Sequence, residues 1–216
     1  MLSDIFNILL AKYHKKRGLR FLTCSKFKTA LHHFEKAFLL LEDSDSLFFF
    51  TICLISLNKH EKAISYLERI YEQSPENILV SATLTECYLT TREWDKAEKI
   101  INMLLLNHHQ NQLFQKYHTI VEDPVLREKY AIGKEHFYRA TDELEKKQFD
   151  NAIENVKKAL EFDQNNASYC FTASLILEQG KKPKQEIVEY LEKAIFLAPL
   201  NETYKKKLHY IKTRYR

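Results

Sequence analysis

The chain has 216 residues, 45% of them hydrophobic and 29% charged, the balance of a folded soluble polypeptide with room for one or two domains. Its 3 Gly and 4 Pro are too few for the turns of a sheet protein, and Gly18, Gly133 and Gly180 stand too far apart to build a phosphate-binding loop. The net charge of +4 is unevenly spread, with Lys12, Lys15, Lys16, Arg17 and Arg20 near the start, a second lysine-rich stretch after Glu202, and a mildly acidic middle.

In chain order, the first element is a helix on which Leu2, Ile5, Phe6, Leu9, Leu10 and Tyr13 recur at helical spacing and run into the basic residues 12–20. Such a helix either caps the helices after it or lies on an anionic membrane. The stretch Ile5–Ala11 has the wrong flanks for a secretory signal, and the densest apolar run, Leu47–Leu57, is too short to span a bilayer. The expected location is the cytoplasm, with membrane-peripheral attachment as the alternative. Cys24, Cys53, Cys87 and Cys170 form no C-x-x-C pair and read as small apolar side chains in a reducing compartment.

From there the sequence repeats. Ala30, Phe34 and Ala37 form a set of one small and two further core positions at i, i+4 and i+7. Ala63, Leu67 and Ile70 come 33 residues later, and Ala97, Ile101 and Leu104 after 34 more. After a gap of 55 come Ala152, Val156 and Ala159, and after 35 more Ile187, Leu191 and Ala194. Rings stand three positions before the small residue, at Phe27, His60, Trp94 and Phe149, and small or β-branched residues twelve before, at Gly18, Thr51, Thr85 and Ala140. Each unit has more apolar surface than one helical hairpin can bury, so neighbours must stack.

The pattern lapses over residues 105–132. A degenerate helix is predicted at about 110–121, and Asp123-Pro124 reads as the N-cap and first residue of a long helix reaching about Gln148. The expected organisation is therefore three units in residues 1–109, a helical insert at 110–132, and two units with a basic capping helix in 133–216. One continuous array with a degenerate sixth unit is the other arrangement. The last helix starts after Asn201 and carries a stripe of Tyr204, Leu208, Ile211 and Tyr215.

The motifs Gly18-x2-Phe21…Ala30-x3-Phe34 and Ala63…Pro75 resemble the tetratricopeptide repeat, a helix–turn–helix of about 34 residues. The resemblance covers most of the chain. It implies an all-α, right-handed α-solenoid that binds a peptide or helix of another protein in a concave groove lined by the first helix of each unit. The groove positions would be Lys15, Leu19 and Leu22 in the first unit, and Phe48, Ile52 and Ile55 in the second. Leu79 and Glu86 would line it in the third, then Phe137 and Thr141 in the fourth. This surface is mainly apolar and would suit an apolar segment or amphipathic helix. Family members that grip the carboxylate terminus of heat-shock proteins use Lys, Asn and Arg where this chain has Lys15, Leu19, Phe49, Leu79 and Thr83, and only the first fits. Glu143 departs from the family pattern, standing where an aromatic residue is expected.

No catalytic, metal or cofactor motif is legible. His32-His33 and His108-His109 point to different faces of their helices, and neither a zinc spacing nor an H-E-x-x-H occurs. The chain reads as a non-catalytic interaction scaffold. Alternatives are a membrane-peripheral assembly factor held by the N-terminal helix, a nucleic-acid binder using the basic C-terminal helix, and self-association through the array ends.

Overall fold

A computed structural model describes residues 2–24 and 26–214, with side chains from Asp4 to Thr213; the Leu2 side chain and Tyr215, both placed on apolar stripes by their spacing, lie outside the described residues. The described residues form helices without strands. These are α1 (Leu2–Thr23), α2 (Phe27–Leu41), α3 (Ser44–Ser56), α4 (His60–Gln73), α5 (Ile78–Thr90) and α6 (Trp94–Asn107). Then come α7 (Gln112–Glu122), α8 (Pro124–Glu145), α9 (Phe149–Phe162), α10 (Ala167–Gln179), α11 (Lys184–Leu197) and α12 (Glu202–Arg214). They group into two compact units, residues 1–127 and 128–216, whose boundary falls inside α8 and within the 110–132 segment.

In unit 1 each helix from α1 to α7 packs on the next, and in unit 2 the same holds from α9 to α12. This is the arrangement of an α-solenoid, in which each helical pair rests on its neighbours. Two recurring devices produce it. First helices of the pairs begin at an Asx cap. Asp43 accepts from Ser46 N at 2.9 Å, Asn77 from Leu79 N at 3.1 Å and Asn111 from Leu113 N at 3.0 Å. Asp123, Asn166 and Asn201 do the same for α8, α10 and α12. Asp43, Asn77 and Asn111 stand 34 residues apart, so α7 starts where a fourth first helix would start.

Second helices are entered differently. Asn58, Arg92, Lys147 and Lys181 adopt left-handed backbone, with φ of 56°, 65°, 60° and 53°. The residue after each donates its N–H five positions back, as Lys59 to Leu54 at 2.9 Å and Gln148 to Glu143 at 2.9 Å. That bond closes the end of the first helix and aims the chain back along it. None of these positions is Gly, so each carries left-handed strain. Lys147→Gly and Lys181→Gly are each expected to raise stability by about 0.5–1 kcal/mol, whereas Ala at the same places should not. Chemical denaturation of the single variants measures it.

The repeating triads are the core. Ala30, Phe34, Ala37, Ala63, Leu67, Ile70, Ala97, Ile101 and Leu104 are all buried in unit 1, and Ala152, Val156, Ala159, Ile187, Leu191 and Ala194 in unit 2. Phe27, His60, Trp94 and Phe149 each open a second helix. Twelve positions before the small residue, Thr51 and Thr85 are buried and return their hydroxyls to their own helices, at Phe48 O and Ser81 O, which removes the cost of burying them. Ser174 fills this role in the fifth set, one residue earlier because the turn through Lys181 is longer. Gly18 is small for a reason that spacing alone does not show: a Cβ there would stand 2.8 Å from the Phe34 ring.

Glu143 also finds a use. Asn155 on α9 donates to its Oε2 at 3.0 Å, and His136 on α8 lies 2.9 Å from Asn155 Oδ1. A polar bridge thus joins α8 to α9 at the position where an aromatic was expected. The C-terminal stripe packs as its spacing requires, with Ile211 buried against Leu177, Ile187 and Leu191, and Tyr204 stacked on Phe171 at 4.4 Å.

Candidate functional site

In unit 1 the candidate groove residues lie on the first helices α1, α3 and α5. They are not equally accessible. On α1, Leu19 and Leu22 are half-buried against the Ala30–Phe34–Cys53 cluster, together with Phe49 and Phe50 of α3. Lys15 reaches the start of α3, where its Nζ is 3.3 Å from Asp43 and 2.9 Å from Asp45. Burial works against both ions of the Lys15–Asp43 pair. For Asp43, hydrogen bonds from Ser46 and the Lys15 charge overcome it and hold the carboxyl below its ordinary range; for Lys15, the two carboxylates overcome it and raise the ammonium. Lys15 is therefore a tie between α1 and the N-cap of α3.

On α3, Phe48 is 9% exposed and sits edge-on to Phe49, whereas Ile52 and Ile55 are half-buried. On α5, Leu79 is 61% exposed and its neighbour Ile78 42%, while the rest of the helix buries Val80, Leu84, Thr85, Cys87, Tyr88 and Leu89. Glu86 is half-buried two turns further along the same face as Leu79. Ile78 was not among the sequence candidates. Its spacing from the core residues marks it only as off the core, and its exposure comes from its place in the first turn, beside the Asn77 cap.

Unit 2 presents a different surface. Phe137 is half-buried and stacks on Tyr169 of α10 at 4.4 Å, with Lys134 over the same Tyr169 ring at 5.7 Å. Thr141 is half-buried and donates to Tyr138 O of its own helix at 2.9 Å.

Residues 54–117 match the family model described as tetratricopeptide repeat. That stretch is tetratricopeptide repeat. A tetratricopeptide repeat protein from Parabacteroides merdae superposes with a TM-score of 0.52 at 16% identity, over 94% of this chain and 84% of that one, which shows the shared fold. The TPR2AB domain of yeast Sti1 in a pHSP90 complex gives a TM-score of 0.46 at 18% identity, covering 94% and 83% of the two chains. MamA from Desulfovibrio magneticus RS-1 gives 0.44 at 14% identity, covering 89% and 97%. No curated protein matches the sequence.

The four cysteines form no disulfide, and burial pushes the Cys53 thiol up to about 12, which keeps it protonated. Cys24 corrects the reading of all four as packed side chains: it is exposed, because α1 ends at Thr23 and leaves it in the turn. His33 meets His14 of α1, Nδ1 to Nδ1 at 2.9 Å, and stacks on Phe21. Burial, aided by Lys36, His32 and Arg17, lowers the His14 pKa, so one neutral imidazole donates to the other. A spacing of 19 residues between them gave no sequence signal for this contact. Among the described residues no group of three or more His, Cys, Asp or Glu is placed to hold a metal ion. Nor is any helix of theirs long and apolar enough to cross a membrane.

Proposed function

We propose that the protein is a non-catalytic scaffold that holds an apolar segment or amphipathic helix of a partner protein along the first helices of unit 1. Ile52, Ile55 and Leu79 make the contact and Glu86 forms its polar edge, while Leu19, Leu22 and Phe48 support that surface from beneath and Lys15 locks α1 to α3. Phe137 and Thr141 take the corresponding role on unit 2, as a separate surface. The observation that carries this reading is the exposure of Leu79 and Ile78 at the start of a helix whose other residues are buried or half-buried. A heat-shock carboxylate is a poor fit, since Lys15 is already held by two aspartates and the Thr83 hydroxyl donates to Leu79 O.

The test uses Ile52→Asp with Leu79→Asp, both partly or largely exposed, rather than any change at the buried Phe48. Wild-type and variant chains are used side by side to retain proteins from native extract, and the segment found is then titrated as a peptide. At least about a tenfold loss of affinity is expected with helicity unchanged, because apolar contacts at the centre of an interface dominate its energy. Equal affinity for a folded variant would sink the reading.

A further inference from the structure

The N-terminal helix carries a second surface, independent of the groove. The repeat core is met by one side of α1, through the buried Ala11 and Gly18. The opposite side is apolar at its start and basic further on. Ile5 is 53% exposed, Phe6 64% and Leu9 62%, with Ile8 and Tyr13 also exposed. At 3.6 residues per turn, Ile5, Phe6, Ile8 and Leu9 spread over about 160° of the helix circumference. Lys12, Lys16, Arg17 and Arg20 are exposed and fall on the same outward side; Asp4 is exposed too, but its register is that of Ala11, seven residues on, and not of the outward side. Among the described residues Lys12, Lys16 and Arg20 enter no ion pair, in contrast to Lys15, which points inward and is neutralised by Asp43 and Asp45. The Arg17 guanidinium donates to the Tyr13 hydroxyl at 3.1 Å and lies over the Phe21 ring.

We propose that this outward face of α1 docks on an anionic lipid bilayer, with Ile5, Phe6, Leu9 and Tyr13 entering the headgroup–acyl boundary and Lys12, Lys16, Arg17 and Arg20 on the lipid phosphates. Charge complementarity decides the occupant together with shape. Four cations flank an apolar ridge, which matches a surface that is anionic outside and apolar just below. An acidic peptide would need a concavity, and side chains fanned over so wide an arc enclose none. A fluid planar surface accepts a protruding ridge without one. Tyr13 stands between the apolar and basic portions, with its ring able to sit at headgroup level.

Flotation of the full chain with vesicles tests the proposal. Phosphatidylcholine vesicles containing about 30% phosphatidylserine should float at least about tenfold more protein than phosphatidylcholine alone. The excess should vanish near about 1 M salt, where charge attraction is screened. Phe6→Asp with Leu9→Asp, and separately Lys16→Glu with Arg20→Glu, should each lower flotation at least about tenfold. All four positions face solvent, so circular dichroism should be unchanged; Phe6→Ser with Leu9→Ser repeats the apolar test more mildly. Absence of wild-type flotation, or wild-type flotation by either folded double variant, would overturn the proposal. So would capture of an acidic amphipathic peptide at this face in place of vesicles. Retention of the protein partner by the α1 variants is expected, which keeps this result separate from the groove test.

Discussion

Phe34→Ala is expected to destabilise unit 1 by about 3–5 kcal/mol. The ring is fully buried, stacks on Phe49 with centroids 5.3 Å apart, and fills the space left by Gly18. Leu19, Phe21, Leu22, Leu31, Phe49 and Phe50 pack around the cluster it shares with Ala30 and Cys53. Three helices, α1, α2 and α3, therefore meet on one side chain. Collapse into the vacated volume would require α1 to move toward α2, but α1 is also held by Lys15 on Asp43 and by the His14–His33 contact. The cavity should stay largely open, which places the cost toward the upper end of the range for a buried aromatic. In a stacked array the loss falls on neighbouring elements first. Amide exchange should show protection falling in α1–α4 while that of α10 and α11 stays near its wild-type level. A loss spread evenly over both units would refute this nearest-neighbour account.

Leu191→Ala is the counterpart in unit 2 and is expected to cost about 2–5 kcal/mol. Leu191 is fully buried with Leu177, Ile187 and Ile211, and Ile153, Phe171, Val188, Tyr190 and Leu208 pack against the group. It is the residue on which α12 rests, through Ile211. The variant should release α12 before the rest of unit 2, and exchange in residues 202–213 should rise most. Among the lysines of α12, Lys207 pairs with Glu178 of α10 at 2.5 Å on half-buried surface and offsets only part of the lost contact. Lys205 and Lys212 pair with Glu202 and Glu192 at 2.9 and 2.7 Å on exposed surface, where such pairs contribute about 0–1 kcal/mol. If α12 kept its protection in Leu191→Ala, its packing would not be what holds it.

The helical pairs were legible from sequence because one constraint recurs. A second helix that must approach its neighbours closely takes Ala or a compact apolar residue at i, with core residues at i+4 and i+7, and all five such sets are buried. The long helix beginning at Pro124 was legible from Asp123-Pro124 in the same way; it ends at Glu145, near the predicted Gln148. The polar bridge at Glu143 was not, since its partner Asn155 is 12 residues away on another helix. The Asx caps at Asp43, Asn77 and Asn111 share the repeat spacing, and reading them would have sharpened the start of the helix predicted at about 110–121 to Gln112.

The candidate binding surface was less legible, for a physical reason. Position on a helix says which side chains lie off the repeating core, but exposure is set by what other helices cover. Phe48 and Leu79 read alike in sequence; the first is nearly covered and the second is open to solvent. The N-terminal stripe shows the same limit. Its spacing fits either a cap or a surface, and only the packing of Ala11 and Gly18 toward α2 turns Ile5, Phe6 and Leu9 outward. Local periodicity, caps and turn positions were thus determined by the sequence alone, because they depend on neighbours within a few residues. Which apolar faces are core and which remain free was decided by tertiary contacts between residues far apart in the chain, and those contacts leave no spacing to read.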